Sequence, residues 1–261
     1  MTGYGSGSAP TLGLIWPDDG QGRPDYELLR LKRWLTARGH DSVAVVVERS
    51  VAGRSHTRAD LLITGRHQAL EPPARLLAAA GAGVIAWACT SGSFIGGLRW
   101  ARAQAEALNQ VTGLPVTSAT LALIDAVRSL GASRVDVIGA YPEDVTSEFV
   151  RCLESAGIEV RDSWALDCRD GSASFQLDLL DRMVEFVRRT GPCNIPILVP
   201  DTAINTLDYL DRLEEIAGRP VVTANQAVVW RSLGLLGLNP EASDAGALFR
   251  ISEPVAASVD A

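Results

Sequence analysis

Apolar residues recur at helical spacing in Leu28, Leu31 and Leu35, and again in Phe149 and Leu153. Between such stretches lie short unbroken apolar runs, among them Val84–Ala88 and Ile195–Val199. A 3.6-residue period marks a helix with one buried face, whereas a short run without period suits a strand buried on both faces. The pattern predicts strands at Thr11–Ile15, Ser42–Val47, Leu61–Thr64, Val84–Ala88, Val135–Gly139, Glu159–Asp162, Ile195–Val199 and Pro220–Val222. It predicts helices at Asp25–Arg38, Glu71–Ala80, Phe94–Gly113, Ala119–Leu130, Asp144–Ala156, Ser174–Arg189, Thr206–Ala217 and Asn225–Leu236. Strand alternating with helix predicts an α/β protein whose parallel sheets are covered by helices.

The pattern also repeats itself. Residues 12–47 run strand, Trp16-Pro17-Asp18-Asp19, helix, Gly39-His40, strand; residues 135–160 run strand, Tyr141-Pro142-Glu143-Asp144, helix, Gly157-Ile158, strand. Leu114-Pro115-Val116-Thr117-Ser118-Ala119-Thr120 is echoed by Arg219-Pro220-Val221-Val222-Thr223-Ala224-Asn225-Gln226. Repeats of this length predict two pseudo-symmetric βα domains with a ligand cleft between them. The expected division is residues 1–115 plus a C-terminal return at 225–261 for the first domain, and 116–224 for the second. Ligands bind beyond the carboxyl ends of parallel strands, which gathers the loops after Trp16, Cys89, Tyr141 and Asp201 around that cleft.

Composition narrows the function. The 261 residues are 47% hydrophobic and 21% charged, an ordinary globular balance. A net charge of −7 argues against a nucleic-acid partner, because phosphate binding needs clustered cations. The longest apolar stretch, Leu76–Cys89, is broken by Gly81 and Gly83 and is shorter than the ~20 residues of a membrane span. Met1–Pro10 is Gly/Ser-rich without an apolar core, and the end after Asp244 has the look of a frayed tail, so the expected location is cytoplasmic. The pattern leaves room for a homo-oligomer.

Cys89, Cys152, Cys168 and Cys193 are widely separated, as free thiols of a cytosolic chain are, and no metal site is expected. No cofactor is expected either. The glycines after Ser91 fit neither a dinucleotide nor a P-loop fingerprint, and Lys32, the one lysine, sits on an early helix away from the cleft loops.

The chemistry concentrates in two loops. Ala88-Cys89-Thr90-Ser91-Gly92-Ser93 joins a buried strand to a helix, where free N–H groups and hydroxyls would hold a carboxylate. The positive helix end is expected to favour the thiolate of Cys89 and to make it the first thiol alkylated. Its repeat partner, Val199-Pro200-Asp201-Thr202-Ala203, would set Asp201 opposite Cys89 as an acid or base, although Asp201 also fits a helix cap. Tyr141 offers a hydroxyl to a substrate carboxylate, and Trp16 and Pro17 an apolar wall. Cys152, beside Val150 and Leu153, is expected to pack in the core.

Ala88-Cys89-Thr90-Ser91-Gly92-Ser93-Phe94, the Tyr141 loop and the stretch from Thr206 through Asn225-Gln226-Ala227 resemble the maleate cis–trans isomerases. That group includes the arylmalonate decarboxylases and belongs to the aspartate/glutamate racemase superfamily. The resemblance covers most of residues 11–237 and implies the same pseudo-symmetric fold. It implies a cofactor-independent enzyme acting at the α-carbon of a small carboxylate or dicarboxylate. Cys89 and Asp201 would then be the catalytic pair, with Thr90, Ser91, Tyr141, Thr202, Trp16 and Pro17 around the substrate. This chain departs from both named patterns. The isomerases carry a second cysteine where Asp201 stands and an Asn in the first loop. The decarboxylases carry their single cysteine at the second position and Gly at the first. Isomerase or racemase chemistry leads; the alternatives are decarboxylation, with Cys89 protonating an enediolate, and carboxylate binding without turnover.

Overall fold

In a computed structural model, residues 9–18, 20 and 26–251 are described. Most of the N-terminal tail, Asp19, the expected helix start at Asp25 and the last ten residues lie outside them. The chain forms two four-stranded parallel sheets. The first holds β1 (Thr11–Asp18), β2 (Ala44–Val51), β3 (Val84–Trp87) and β4 (Val116–Ser118) in the order β2-β1-β3-β4. The second holds β5 (Arg134–Gly139), β6 (Glu159–Ala165), β7 (Ile197–Val199) and β8 (Val221–Thr223) in the order β6-β5-β7-β8. Each strand of one sheet therefore has its counterpart at the same place in the other, which is the α/β pseudo-symmetry that the repeat predicts.

Two helices seal the sheets together. Ala119–Ser129 starts after β4 with the Ser118 hydroxyl accepting from Leu121 N–H, and Ala224–Leu235 starts after β8 with a reciprocal Thr223–Gln226 capping box. Ten successive residues, Ala224–Leu233, are buried, so this helix has no solvent face over most of its length. One apolar cluster runs from Leu12 and Ala86 through Ala122, Val127 and Trp230 to Val135 and Val222, joining both sheets. Within the second sheet, a bulge at Val135/Asp136 accompanies a buried Asp136. Its carboxylate accepts from Arg161 and from Arg219, at 2.5 and 2.6 Å to Oδ2.

Several expected elements change. Leu61–Thr64 is not a strand but part of a helix, Arg58–Gly65. Thr57 caps it by accepting from Asp60 N–H, and Leu61 is buried while Ile63 is 41% exposed, so the apolar run is one turn of a two-faced helix. β4 pairs with β3, so the first sheet extends past residue 115 to Ser118. The helix expected at Phe94–Gly113 is two helices, Thr90–Phe94 and Gly97–Thr112, broken where Gly97 adopts φ +81°. Among the described residues no helix is long and apolar enough to cross a membrane.

Candidate active site

β3 ends at Trp87, and Cys89 follows in extended backbone before the five-residue helix Thr90–Phe94. That short helix is held from behind. Ser93 Oγ donates to Thr90 O at 2.8 Å, and Gln104 Nε2 donates to Gly65 O at 2.6 Å and Gly92 O at 3.2 Å. Gly65 is required at this contact: a Cβ there would stand 2.3 Å from Gly92 O.

The second wall follows β7. Asp201 Oδ1 accepts from Ala203 N–H at 2.9 Å, an Asx turn in a loop rather than a helix cap, since regular helix resumes only at Leu210. Its Oδ2 is buried without a partner. Thr202 Oγ1 donates to Ala88 O at 3.0 Å, stitching this loop to the one that carries Cys89.

Between the walls lies a cleft of about 70 Å³. Trp16, Pro17, Cys89, Thr90, Ser91, Asp201 and Thr202 all line it. Tyr141 does not line the open part. It is buried beside it, its ring 4.9 Å from His56 and 5.5 Å from Phe94, with its hydroxyl unpartnered. The Thr90 hydroxyl is likewise buried and unpartnered.

The structure adds residues that the repeat does not point to: Tyr26, Arg49, Arg54 and His56 also line the cleft. Arg49 belongs to β2, which runs four residues beyond its expected end, and His56 lies in the loop that follows. The carboxyl-end rule applied to β2 at its true length is the signal that would have found them. His56 Nδ1 lies 2.8 Å from Cys168 O; a carbonyl only accepts, so Nδ1 carries the proton and Nε2 is left free of it in the neutral ring.

Electrostatics reverse one expectation. Burial pushes the Cys89 thiol up to about 11, and the charge of Asp201 adds to the effect. Hydrogen bonds from Gly92 N–H and Ser91 offset only part of it. Desolvation dominates at Cys89, so it is a neutral thiol near neutral pH, not the expected thiolate. Burial also raises the Tyr141 phenol well above its ordinary range, with Asp201 and Cys89 contributing. The thiol in the cleft wall and the phenol buried beside it are thus proton-bearing groups.

Known proteins resemble this chain in sequence and in fold. The chain is 30% identical over 166 residues to the arylmalonate decarboxylase of Bordetella bronchiseptica, a match covering 63% of this chain and 69% of that one. It is 29% identical over 136 residues to a maleate isomerase of Geobacillus stearothermophilus, spanning 51% of this chain and only 54% of that relative. A maleate isomerase variant of Pseudomonas putida S16, solved with maleate, superposes with a TM-score of 0.80 at 25% identity, covering 93% of this chain and 98% of that one. A liganded arylmalonate decarboxylase double mutant gives 0.79 at 26% identity, over 92% and 99%. A sequence model of the arylmalonate decarboxylase family matches residues 66–249, well over half of the chain. The chain belongs to that family.

Proposed function

We propose that this protein is a cofactor-independent enzyme that moves a proton at the α-carbon of a small carboxylate or dicarboxylate, in the manner of an isomerase or racemase. One observation carries the reading. A protonated thiol, Cys89, and a carboxylate with one unpartnered oxygen, Asp201, line the same small cleft from different sheets. Asp201 Oδ2 takes the α-proton, leaving an enediolate, and the Cys89 thiol returns a proton to the carbon. The Thr90 and Ser91 hydroxyls hold the substrate carboxylate and take up the charge that develops on it, with the Tyr141 hydroxyl buried beside the cleft to back them. Trp16 and Pro17 form the apolar side, and Thr202 fixes the second loop against Ala88. With a cis-alkene dicarboxylate, Cys89 Sγ would instead bond to one alkene carbon as its proton passes to Asp201 Oδ2, which returns it to Sγ when the sulfur is expelled. The π pair then moves towards the far carboxylate, the single bond rotates, and expulsion of Sγ restores the alkene as the trans isomer. Free, scattered cysteines accord with a cytoplasmic setting.

The neutral thiol also favours a second reading, decarboxylation. A departing carboxylate leaves its bonding pair as an enediolate, and Cys89 protonates it. In the matching arylmalonate decarboxylase double mutant a glycine is changed to cysteine and a cysteine to serine. Read against the family pattern, that exchange is in the same sense as the cysteine of this chain at the first position and Asp201 at the second.

Proton NMR in D₂O with maleate, aspartate, methylsuccinate and a methyl-phenylmalonate separates these outcomes. Fumarate or α-deuteration without carbon loss establishes isomerase or racemase chemistry. Loss of one carboxyl group with one deuterium gained establishes the decarboxylase. Any such turnover that survives Cys89→Ala overturns the central role of Cys89.

A further inference from the structure

Glu27 opens a short 3-10 turn, Glu27–Arg30, yet its side chain is buried among residues nearly two hundred positions away. Oε2 accepts from the backbone N–H of Thr206 at 2.7 Å and of Leu207 at 2.8 Å. Oε1 accepts from Asn225 Nδ2 at 2.6 Å and from the Thr206 hydroxyl at 3.3 Å. The Glu27 N–H donates to Asn205 Oδ1 at 2.9 Å, so backbone and side chain grip one loop together. Asn225 Nδ2 also donates to Thr202 O and Ile204 O, at 3.2 and 3.0 Å. Its nitrogen therefore faces three acceptors and cannot be exchanged for its oxygen.

From these contacts we propose that Glu27 is a positioning residue, a clasp that holds the Asp201–Leu207 loop against the first sheet and so sets the second wall of the cleft. The line of contact is short. Glu27 binds Asn225, Asn225 binds Thr202 O, and Thr202 Oγ1 binds Ala88 O, next to Cys89. The inference rests on reading that loop as part of the active site.

Glutamine cannot replace the carboxylate. Two donors at Oε2 are backbone amides and the main donor at Oε1 is a fixed amide nitrogen, so a glutamine NH₂ would meet donors at either position. Burial raises the Glu27 carboxyl from 4.5 to about 7, outweighing the hydrogen bonds that favour the anion. A carboxyl solvated in the open loop would return towards the lower value. Closing the clasp is therefore most favourable at low pH and becomes costlier as pH rises to about 7. The ionisable groups around the same groove are Arg30 on its own turn, Arg33 and Arg38 from the next helix, and Asp208 from the loop. Tyr209 also feels the Glu27 charge.

Amide hydrogen exchange and Cys89 alkylation test the clasp without any substrate, so they stand even if the proposed activity is wrong. In Glu27→Gln, protection at Thr206 and Leu207 is expected to fall about 10- to 100-fold, with that of Val137 and Leu198 unchanged. Iodoacetamide should alkylate Cys89 several-fold faster than in the wild type at one pH. Wild-type protection at Thr206 and Leu207 should fall between pH 5 and 7.5 and then level, while that of Glu27→Gln stays flat. A uniform loss of protection would reduce Glu27 to a general stabiliser and overturn the proposal. An unchanged loop would overturn it too. If Glu27→Gln does not fold, Asn225→Ser, which shortens the donor to Oε1 and to Thr202 O, decides: a selective loss of protection at Thr206 and Leu207 supports the clasp and unchanged protection overturns it.

Discussion

Alkylation of Cys89 is the most direct check on the chemistry of the cleft. A thiol at about 11 in place of the ordinary 9.0 holds roughly a hundredth of the thiolate at pH 8. A more basic thiolate is intrinsically more nucleophilic, which recovers roughly tenfold over that interval. Cys89 in the folded protein should thus react with iodoacetamide at least about tenfold more slowly than in the urea-unfolded chain at the same pH. Its 6% exposure slows it further. The rate should climb nearly tenfold per pH unit up to about pH 10 without levelling. Half-buried Cys193 should be labelled first, reversing the order expected from a helix-activated Cys89. Mass spectrometry of the tryptic peptides after timed quenching measures all four cysteines in one experiment. A folded-state rate equal to the unfolded one, or a plateau below pH 9, would refute the argument that burial governs this thiol.

Three further outcomes follow from the same geometry. Asp201→Asn keeps an oxygen for Ala203 N–H but removes the base, so α-deuteration should fall about 10²- to 10⁴-fold with little change in melting temperature; unchanged deuteration would dismiss Asp201 as the base. Asp136→Asn leaves buried Arg219 without its carboxylate and should cost about 3–5 kcal/mol in urea unfolding. A loss under 1 kcal/mol would show that the guanidinium is satisfied by its contacts with Ile195 O and Thr190 alone. Gly65→Ala places a methyl 2.3 Å from Gly92 O and should cost about 1–3 kcal/mol by thermal melting while displacing the Cys89 loop; a wild-type melting curve would show that the helix Arg58–Gly65 shifts freely.

Periodicity and repetition were enough to read the scaffold. The alternation of strand and helix, the doubled order of loops and the pairing of Cys89 with Asp201 all come from local patterns, and the two sheets repeat them strand for strand. Leu61–Thr64 failed for a local reason: four apolar residues carry too little period to separate a strand from one helical turn, and the Thr57 cap decides it. β4, Val116-Thr117-Ser118, carries one strongly apolar residue and does not announce itself, whereas its equally short echo β8 carries Val221 and Val222 and was legible.

What the sequence by itself determined about this protein is therefore its architecture and the residues at the ends of its central strands. Both follow from short-range spacing that any one segment carries. Tertiary structure alone decided the state of those residues. Cys89 is a thiol because the folded chain removes water from it, and Asp201 has one free oxygen because Ala203 N–H satisfies only the other. Glu27 reaches the loop only because folding brings Thr206, Leu207 and Asn225 to one point. Desolvation and long-range hydrogen bonds depend on everything that packs around a group, and no window of neighbouring residues contains that information.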